Sequence, residues 1–125
     1  MKFAMEDNLK ALIVDDEDDV CYLLSAILKN RNLQTTYVST ISDAKRVLME
    51  DIPSIIFLDN HLPDGFGVNF IDEIKSLYPH VKIVMITAHD TTADKDKAYL
   101  EGVDHFIGKP FTREVIFRTL ENLIN

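Results

Sequence analysis

Ala11-Leu12-Ile13-Val14-Asp15-Asp16-Glu17-Asp18-Asp19 passes from four apolar residues straight into five consecutive acids. An apolar run of this length, without polar alternation, reads as a strand buried on both faces, and here it ends abruptly in charge. The same transition recurs along the chain: Ile55 to Leu58 precedes Asp59, Ile83 to Ile86 precedes Thr87, and Val103 to Ile107 leads to Lys109 before Pro110. Helix-like segments separate these runs, which points to repeated βα units and a parallel sheet. Ligands of such sheets gather in the crevice beyond the carboxyl ends of the strands. Asp15, Asp16, Asp59, Thr87 and Lys109 are therefore all directed to one site.

Strands are expected at 10–15, 33–38, 54–59, 81–87 and 103–107, alternating with helices at 18–30, 41–50, 66–78, 91–101 and 112–124. This is an α/β pattern: a doubly wound, five-stranded parallel sheet. Val20, Leu23, Leu24, Ile27 and Leu28 recur at helical spacing, as do Phe70, Ile71, Ile74, Leu77 and Tyr78, and then Ile116, Leu120, Leu123 and Ile124. Thr40 with Asp43, and Thr91 with Asp94, fit the Ser/Thr-x-x-acid pattern that closes a helix amino terminus. The second strand is the most polar and suits an edge. A sheet order of 2-1-3-4-5 then brings strands one and three together where the winding reverses, so that Asp15, Asp16 and Asp59 meet. The fourth helix offers only Ala93, Ala98, Tyr99 and Leu100 as apolar contacts, so weak anchoring is expected of it.

The 125 residues, 46% of them hydrophobic, suffice for one domain with a single core that needs no staple. Residues 1–8 read as an N-terminal extension and residues 9–125 as the domain. A net charge of -8 argues against direct binding to nucleic acid or to an anionic membrane. Cys21 has no partner for a disulfide and falls in an apolar helical stripe, as a small buried residue would. The amino terminus lacks the apolar segment of a secretory signal, and no stretch approaches the ~18 apolar residues of a membrane span. A cytoplasmic location is expected.

Three carboxylates converging at strand ends repel one another, so the site must raise a pKa or recruit a hard cation. Carboxylates, a backbone carbonyl and waters suit magnesium, which leaves room for a phosphate oxygen. Aspartate attacks phosphorus competently once the charge on the equatorial oxygens is neutralised. The metal covers one oxygen, the Lys109 ammonium a second, and the Thr87 hydroxyl with backbone N–H groups a third. Each residue also has a plainer reading. Asp15 and Asp16 can cap the first helix, Thr87 can simply end a strand, and Lys109 can be a solvated loop charge. A core strand rarely ends by burying an unpaired acid, which favours the site. Gly65 and Gly67 read as turn residues after Pro63, and His80 and His105 as surface residues.

Leu12-Ile13-Val14-Asp15-Asp16, Leu58-Asp59, Leu62-Pro63-Asp64-Gly65, Ile86-Thr87-Ala88 and Gly108-Lys109-Pro110-Phe111, in this order and spacing, resemble the CheY-like receiver domains of bacterial two-component response regulators. The resemblance spans nearly the whole chain and implies a flavodoxin-like fold. It implies that Asp59 is the phosphoacceptor, Asp16 a direct Mg²⁺ ligand, Asp15 a ligand through water and the His61 backbone carbonyl a further ligand. Thr87 and Lys109 would bind the phosphoryl group.

The resemblance also implies a signalling domain and not an enzyme in the ordinary sense. A histidine kinase or phosphotransfer protein donates the phosphoryl group, and the surface of the fourth helix, fifth strand and fifth helix changes. Thr87 moves inward and so does the aromatic three residues before the lysine, here Phe106. Many relatives carry tyrosine there; phenylalanine has no hydroxyl, so a less sharp switch is expected. His61 and His89 flank the pocket and are expected to tune phosphoryl lifetime, with pH dependence near neutrality. Tyr99, His105, Phe106 and Arg113 lie on the expected output face, which is also the expected homodimer surface. An effector domain in a longer parent protein fits equally well.

Other readings fit less of the chain. A haloacid-dehalogenase-like, magnesium-dependent phosphatase requires a second acid two residues after its nucleophile, where this chain has His61. A flavodoxin needs a hydroxyl-rich phosphate loop, and Asp15 to Asp19 repels phosphate. A calcium loop of the EF-hand type needs glycine at its sixth position, which here is Val20. A degenerate receiver that binds a partner without being phosphorylated remains as the alternative.

Overall fold

The structure, a computed structural model, describes residues 9–124, so the extension at 1–8 and Asn125 lie outside it. Five parallel strands form one sheet in the order β2-β1-β3-β4-β5: β1 (Lys10–Val14), β2 (Gln34–Val38), β3 (Ile55–Leu58), β4 (Lys82–Thr87) and β5 (His105–Gly108). They alternate with α1 (Asp18–Lys29), α2 (Ile41–Glu50), α3 (Ile71–Leu77), α4 (Thr92–Glu101) and α5 (Arg113–Ile124). The expected doubly wound topology and strand order are both present.

Pleating sends alternate strand residues to opposite faces. Leu12, Val14, Ile56, Leu58, Ile83 and Met85 pack against Ala44 and Leu48 of α2 and Ile71 and Ile74 of α3. Ala11, Ile13, Ile55, Phe57, Val84 and Ile86 pack against Cys21, Leu24 and Leu28 of α1 and Ile116 and Leu120 of α5. With both faces covered, the central strands have no solvent side, which is why they read as unbroken apolar runs. β2 is an edge strand whose residues are exposed or half-buried, as its polarity suggests.

The helical stripes are narrower than their periodicity suggests. Leu23 in α1 and Leu77 in α3 are 53% and 62% exposed. Cys21, Leu24, Ile27 and Leu28 already fill the contact of α1 with the sheet, so Leu23 is left on its flank. The third helix also begins later than expected. His61–Leu62 and Gly65–Phe66 close into a short antiparallel hairpin, and Gly67–Phe70 forms a 3₁₀ turn before α3.

Helix ends follow local chemistry. The Thr40 and Thr91 hydroxyls accept the N–H groups of Asp43 and Asp94 at 3.0 and 3.2 Å. Gly102, in the left-handed region at φ +112°, ends α4. That helix is thinly anchored: Ala98 is its one buried residue, and Tyr99 and Leu100 are 48% and 85% exposed. Where β4 and β5 begin, Lys75 of α3 donates to the Val81 carbonyl at 3.1 Å and to Asp104 Oδ2 at 2.6 Å. The same Asp104 oxygen accepts the Ile83 N–H at 2.8 Å.

Asp64, at the tip of the hairpin, reaches across to α2. Its two carboxylate oxygens accept the N–H groups of Ile41 and Ser42 at 2.9 and 3.0 Å, in the first turn of that helix. These two bonds, Ile41 first, hold the Asp64 carboxyl below its ordinary value of 3.8. A lowered folded-state pKa means that the stabilisation is complete above the ordinary value and is lost as pH falls through the folded one. Asp64→Ala is therefore expected to lower the thermal midpoint at neutral pH, and the gap from wild type should close below about pH 4. Equal midpoints at neutral pH would refute this anchoring role.

Candidate functional site

Strand register assembles the site. Val14 lies opposite Leu58, Leu58 opposite Met85, and Thr87 opposite Gly108. Asp15 after β1, Asp59 after β3, Thr87 closing β4 and Lys109 after β5 thus emerge along one edge of the sheet. Backbone bonds extend the alignment past the strands. The N–H of Asp59 donates to Val14 O and that of Lys109 to Thr87 O, each at 2.9 Å.

Asp15, Asp59 and Thr87 are 4%, 6% and 1% exposed. The Lys109 ammonium lies among the acids, 2.6 Å from Glu17 Oε1, 2.9 Å from Asp15 Oδ2 and 3.7 Å from Asp59 Oδ2. The remaining carboxylate oxygens are held by the backbone: Asp15 Oδ1 accepts the Glu17 N–H and Asp59 Oδ1 the Asn60 N–H, both at 2.9 Å. Asn60 then folds the following loop back, its side chain accepting from Val68 N–H and its carbonyl from Gly67 N–H. A Cβ at Gly67 would collide with the Asp59 carbonyl oxygen, so close approach, more than turn geometry, demands glycine there.

Burial dominates the electrostatics. Desolvation pushes the Asp59 carboxyl up, and the Asp15 charge pushes it further; Lys109, the Asn60 N–H and the Thr87 hydroxyl oppose this without cancelling it. Asp15 is also raised, again mainly by desolvation, against the Glu17 N–H and Lys109. Burial alone would lower Lys109, but its bonds to Glu17 and Asp15 leave it raised and firmly charged. The ion pairs thus satisfy the ammonium more fully than they satisfy either buried carboxylate. One cation shared among three acids does not offset the desolvation of the two buried carboxylates.

Asp15, Glu17 and Asp59 each offer a carboxylate oxygen within 4.8 Å of the others. An all-oxygen donor set of this kind fits a hard divalent cation such as Mg²⁺. In the sequence, Glu17 is marked only by its place in the acidic run. It also occupies the amino-terminal cap position of α1, with no capping bond from its side chain. Asp16 is exposed and stands outside this group. Asp15 accepts the Glu17 N–H and in that sense orders the start of α1 while also lining the pocket.

The outer residues are arranged around these. The Thr87 hydroxyl accepts the His89 N–H at 3.2 Å. His61 and His89 are exposed and their rings lie against each other, centroids 3.8 Å apart and planes tilted by 41°. Phe106 is buried in the core with the Lys95 ammonium 6.0 Å from its ring centroid, while Tyr99 remains exposed.

Residues 11–121 match the sequence pattern of the response regulator receiver domain. The chain belongs to this family. Solved relatives agree with the assignment. The beryllofluoride-activated NtrC4 receiver domain dimer is 35% identical, with a TM-score of 0.87 over 91% of this chain and 94% of that one. The receiver domain of NtrX from Brucella abortus is 29% identical, with a TM-score of 0.85 over 91% and 97%. A CheY-like receiver domain from Methanospirillum hungatei JF-1 shares the fold at 20% identity, with a TM-score of 0.86 over 92% of each chain. The acidic cluster of Asp15, Glu17 and Asp59 lies within the matched span of this receiver domain. Among its described residues no helix is long and apolar enough to cross a membrane.

The raised Asp59 carboxyl makes the receiver pocket a stability cost when no divalent cation is present. With its folded pKa above the ordinary 3.8, the penalty is absent below that value and complete once pH exceeds the folded one. In metal-free buffer at neutral pH, Asp59→Asn is expected to stabilise the domain by about 1–2 kcal/mol, an advantage that fades below about pH 4. Urea denaturation of both proteins measures this, and a less stable variant would overturn it.

Proposed function

We propose that this receiver domain accepts a phosphoryl group on Asp59 from a histidine kinase or phosphotransfer protein and so switches a protein-interaction surface. The observation that carries the reading is the buried Asp59 carboxylate at the end of a central strand, with Asp15 beside it and the Lys109 ammonium 3.7 Å away. A carboxylate in that position is misplaced as a structural element and well placed as a nucleophile.

In the transfer, an Asp59 oxygen attacks phosphorus. The bond from phosphorus to the donor imidazole breaks, its electron pair stays on nitrogen, and an acyl phosphate forms on Asp59. The departing imidazole takes up a proton. Lys109, drawn toward the new oxygens from Glu17 and Asp15, neutralises one of them, and the Thr87 hydroxyl, which accepts the His89 N–H, donates its own proton to another. Mg²⁺ would be held by Asp59, by Asp15 through water and by the His61 carbonyl, with Glu17 as a further oxygen donor and Asp16 as a direct ligand once its exposed side chain turns in, and would supply charge neutralisation at the phosphoryl group. This is self-catalysed transfer and hydrolysis within a signalling domain.

Output would follow from Thr87 and Phe106. Withdrawal of Thr87 changes the segment leading into α4, and the burial of Phe106 beneath that helix links the two. The surface of α4, β5 and α5, with Tyr99, His105 and Arg113, is the proposed site for a homodimer or partner. The NtrC4 relative was solved as an activated dimer. A longer chain, NtrX from Brucella abortus in complex with ADP, is matched over 26% of its length, so an effector domain is a natural companion for this one. We place the domain in the cytoplasm, without direct contact to nucleic acid or membrane. His61 and His89, at the pocket mouth, would tune phosphoryl lifetime by controlling water access.

Incubation with Mg²⁺ and a small phosphodonor, followed by intact-mass measurement, tests the reading. Wild type is expected to gain one phosphate that hydroxylamine removes, and Asp59→Asn none. An unchanged wild-type mass would favour the degenerate receiver. In the phosphorylated chain, replacing His61 or His89 by Gln is expected to change the dephosphorylation half-life by about twofold or more.

A further inference from the structure

Lys109 makes its shortest bond to the least anchored acid of the pocket. Its ammonium lies 2.6 Å from Glu17 Oε1, 2.9 Å from Asp15 Oδ2 and 3.7 Å from Asp59 Oδ2, the last beyond hydrogen-bond distance. Asp15 and Asp59 are buried, and each is tied through its other oxygen to a backbone N–H, that of Glu17 and that of Asn60 respectively. Glu17 has neither restraint. Its side chain is 59% exposed, it stands at the cap position of α1 without a capping bond, and among the described residues Lys109 is its one side-chain partner. Burial alone would lower Lys109, and of the bonds that outweigh burial the one to Glu17 contributes most.

The ammonium therefore stands among the same three acids whose oxygens make the divalent-cation cluster. Two positive charges cannot both be held there at full strength, because like charges a few ångströms apart repel in a partly buried site. One acid has to change partner, and Glu17 is the acid without a second tie. Its exposed ion pair is weakly held, and its side-chain torsions let the carboxylate swing without disturbing the backbone.

We propose that Glu17 is a positioning residue that exchanges partners, holding the Lys109 ammonium in the cation-free pocket and releasing it toward Asp59 when its own carboxylate turns to a divalent cation. The inference rests on the phosphoacceptor reading of Asp59 and adds how that site is primed. A movement of about 1 Å brings the ammonium from 3.7 Å to hydrogen-bond distance of Asp59 Oδ2. The two positive charges that phosphoryl transfer needs then reach the nucleophile together.

Mg²⁺ titration of the full chain without any phosphodonor, followed through the backbone amide signals of the pocket in NMR, tests the exchange as a double-mutant cycle. Glu17→Gln is expected to weaken Mg²⁺ binding by less than about threefold, because in the wild type what Glu17 gives the cation is offset by the bond it gives up to Lys109. Lys109→Met is expected to strengthen binding, and in that background Glu17→Gln should weaken it by about tenfold or more. The same factor in both backgrounds, or a larger one with the lysine present, would overturn the exchange. A second measurement needs no lysine variant to fold. In wild type labelled with carbon-13 at the glutamate carboxyls, the Glu17 signal, assigned by its absence in Glu17→Gln, is expected to shift with Mg²⁺ at the same midpoint as the Asp15 and Asp59 amides. A Glu17 signal that stays in place refutes the proposal. Failure here leaves phosphate gain on Asp59 intact, and failure of that gain leaves both Mg²⁺ titrations readable, so the two readings are told apart.

Discussion

Two carboxylates that have lost their water share a single ammonium, and much of the molecule is arranged around that fact. Asp15 and Asp59 follow adjacent central strands, so the sheet cannot form without bringing them together. Lys109, carried in from β5, lies between them, yet both acids remain harder to ionise than in water. A chain selected only for stability would place apolar residues here. The local cost persists because it leaves an oxygen-lined, electrostatically unfinished site at the point where a parallel sheet naturally binds ligands.

The stability that offsets this cost lies in two apolar layers, one on each face of the sheet, and it is unevenly shared among the helices. α1, α2, α3 and α5 each insert at least two buried side chains, whereas α4 inserts Ala98 alone. Under the proposed function, a change in charge at the pocket would act on the whole edge, and the element expected to yield is the one with least to lose. The loop leading into α4 contains His89, bonded to Thr87, and its far side covers Phe106 near Lys95. Pocket and helix are thus joined through a short, physically continuous path.

Most of the fold was legible in the sequence because the strands are buried on both faces and the threonine caps are local. Apolar runs ending in Asp59 and Thr87 placed strand and site together, and Thr40 and Thr91 cap as their spacing indicates. What escaped was set by tertiary reach. Glu17 looked like one acid among five, and only the approach of Lys109 from a strand far along the chain sets it apart. The role of Asp64 depends on the hairpin folding over the start of α2, and no spacing rule encodes that contact. Leu23 and Leu77 fit the helical period but not the width of the groove each helix occupies. The contact between the His61 and His89 rings likewise joins two segments that periodicity treats as unrelated.

The Lys75–Asp104 pair sits where β4 and β5 begin, at the opposite end of these strands from the acidic pocket. It bolts α3, Val81 and Ile83 to the segment that follows α4. α4 is therefore pinned near its carboxyl end and loosely seated along its length, like a door hung from its lower corner. The soft displacement expected of such a part is a swing about Gly102, whose left-handed backbone ends the helix, with Thr92 at the free end. Under the proposed function, a small shift of the Thr87 hydroxyl at the sheet edge would be levered into a tilt of an exposed surface carrying Tyr99 and Leu100.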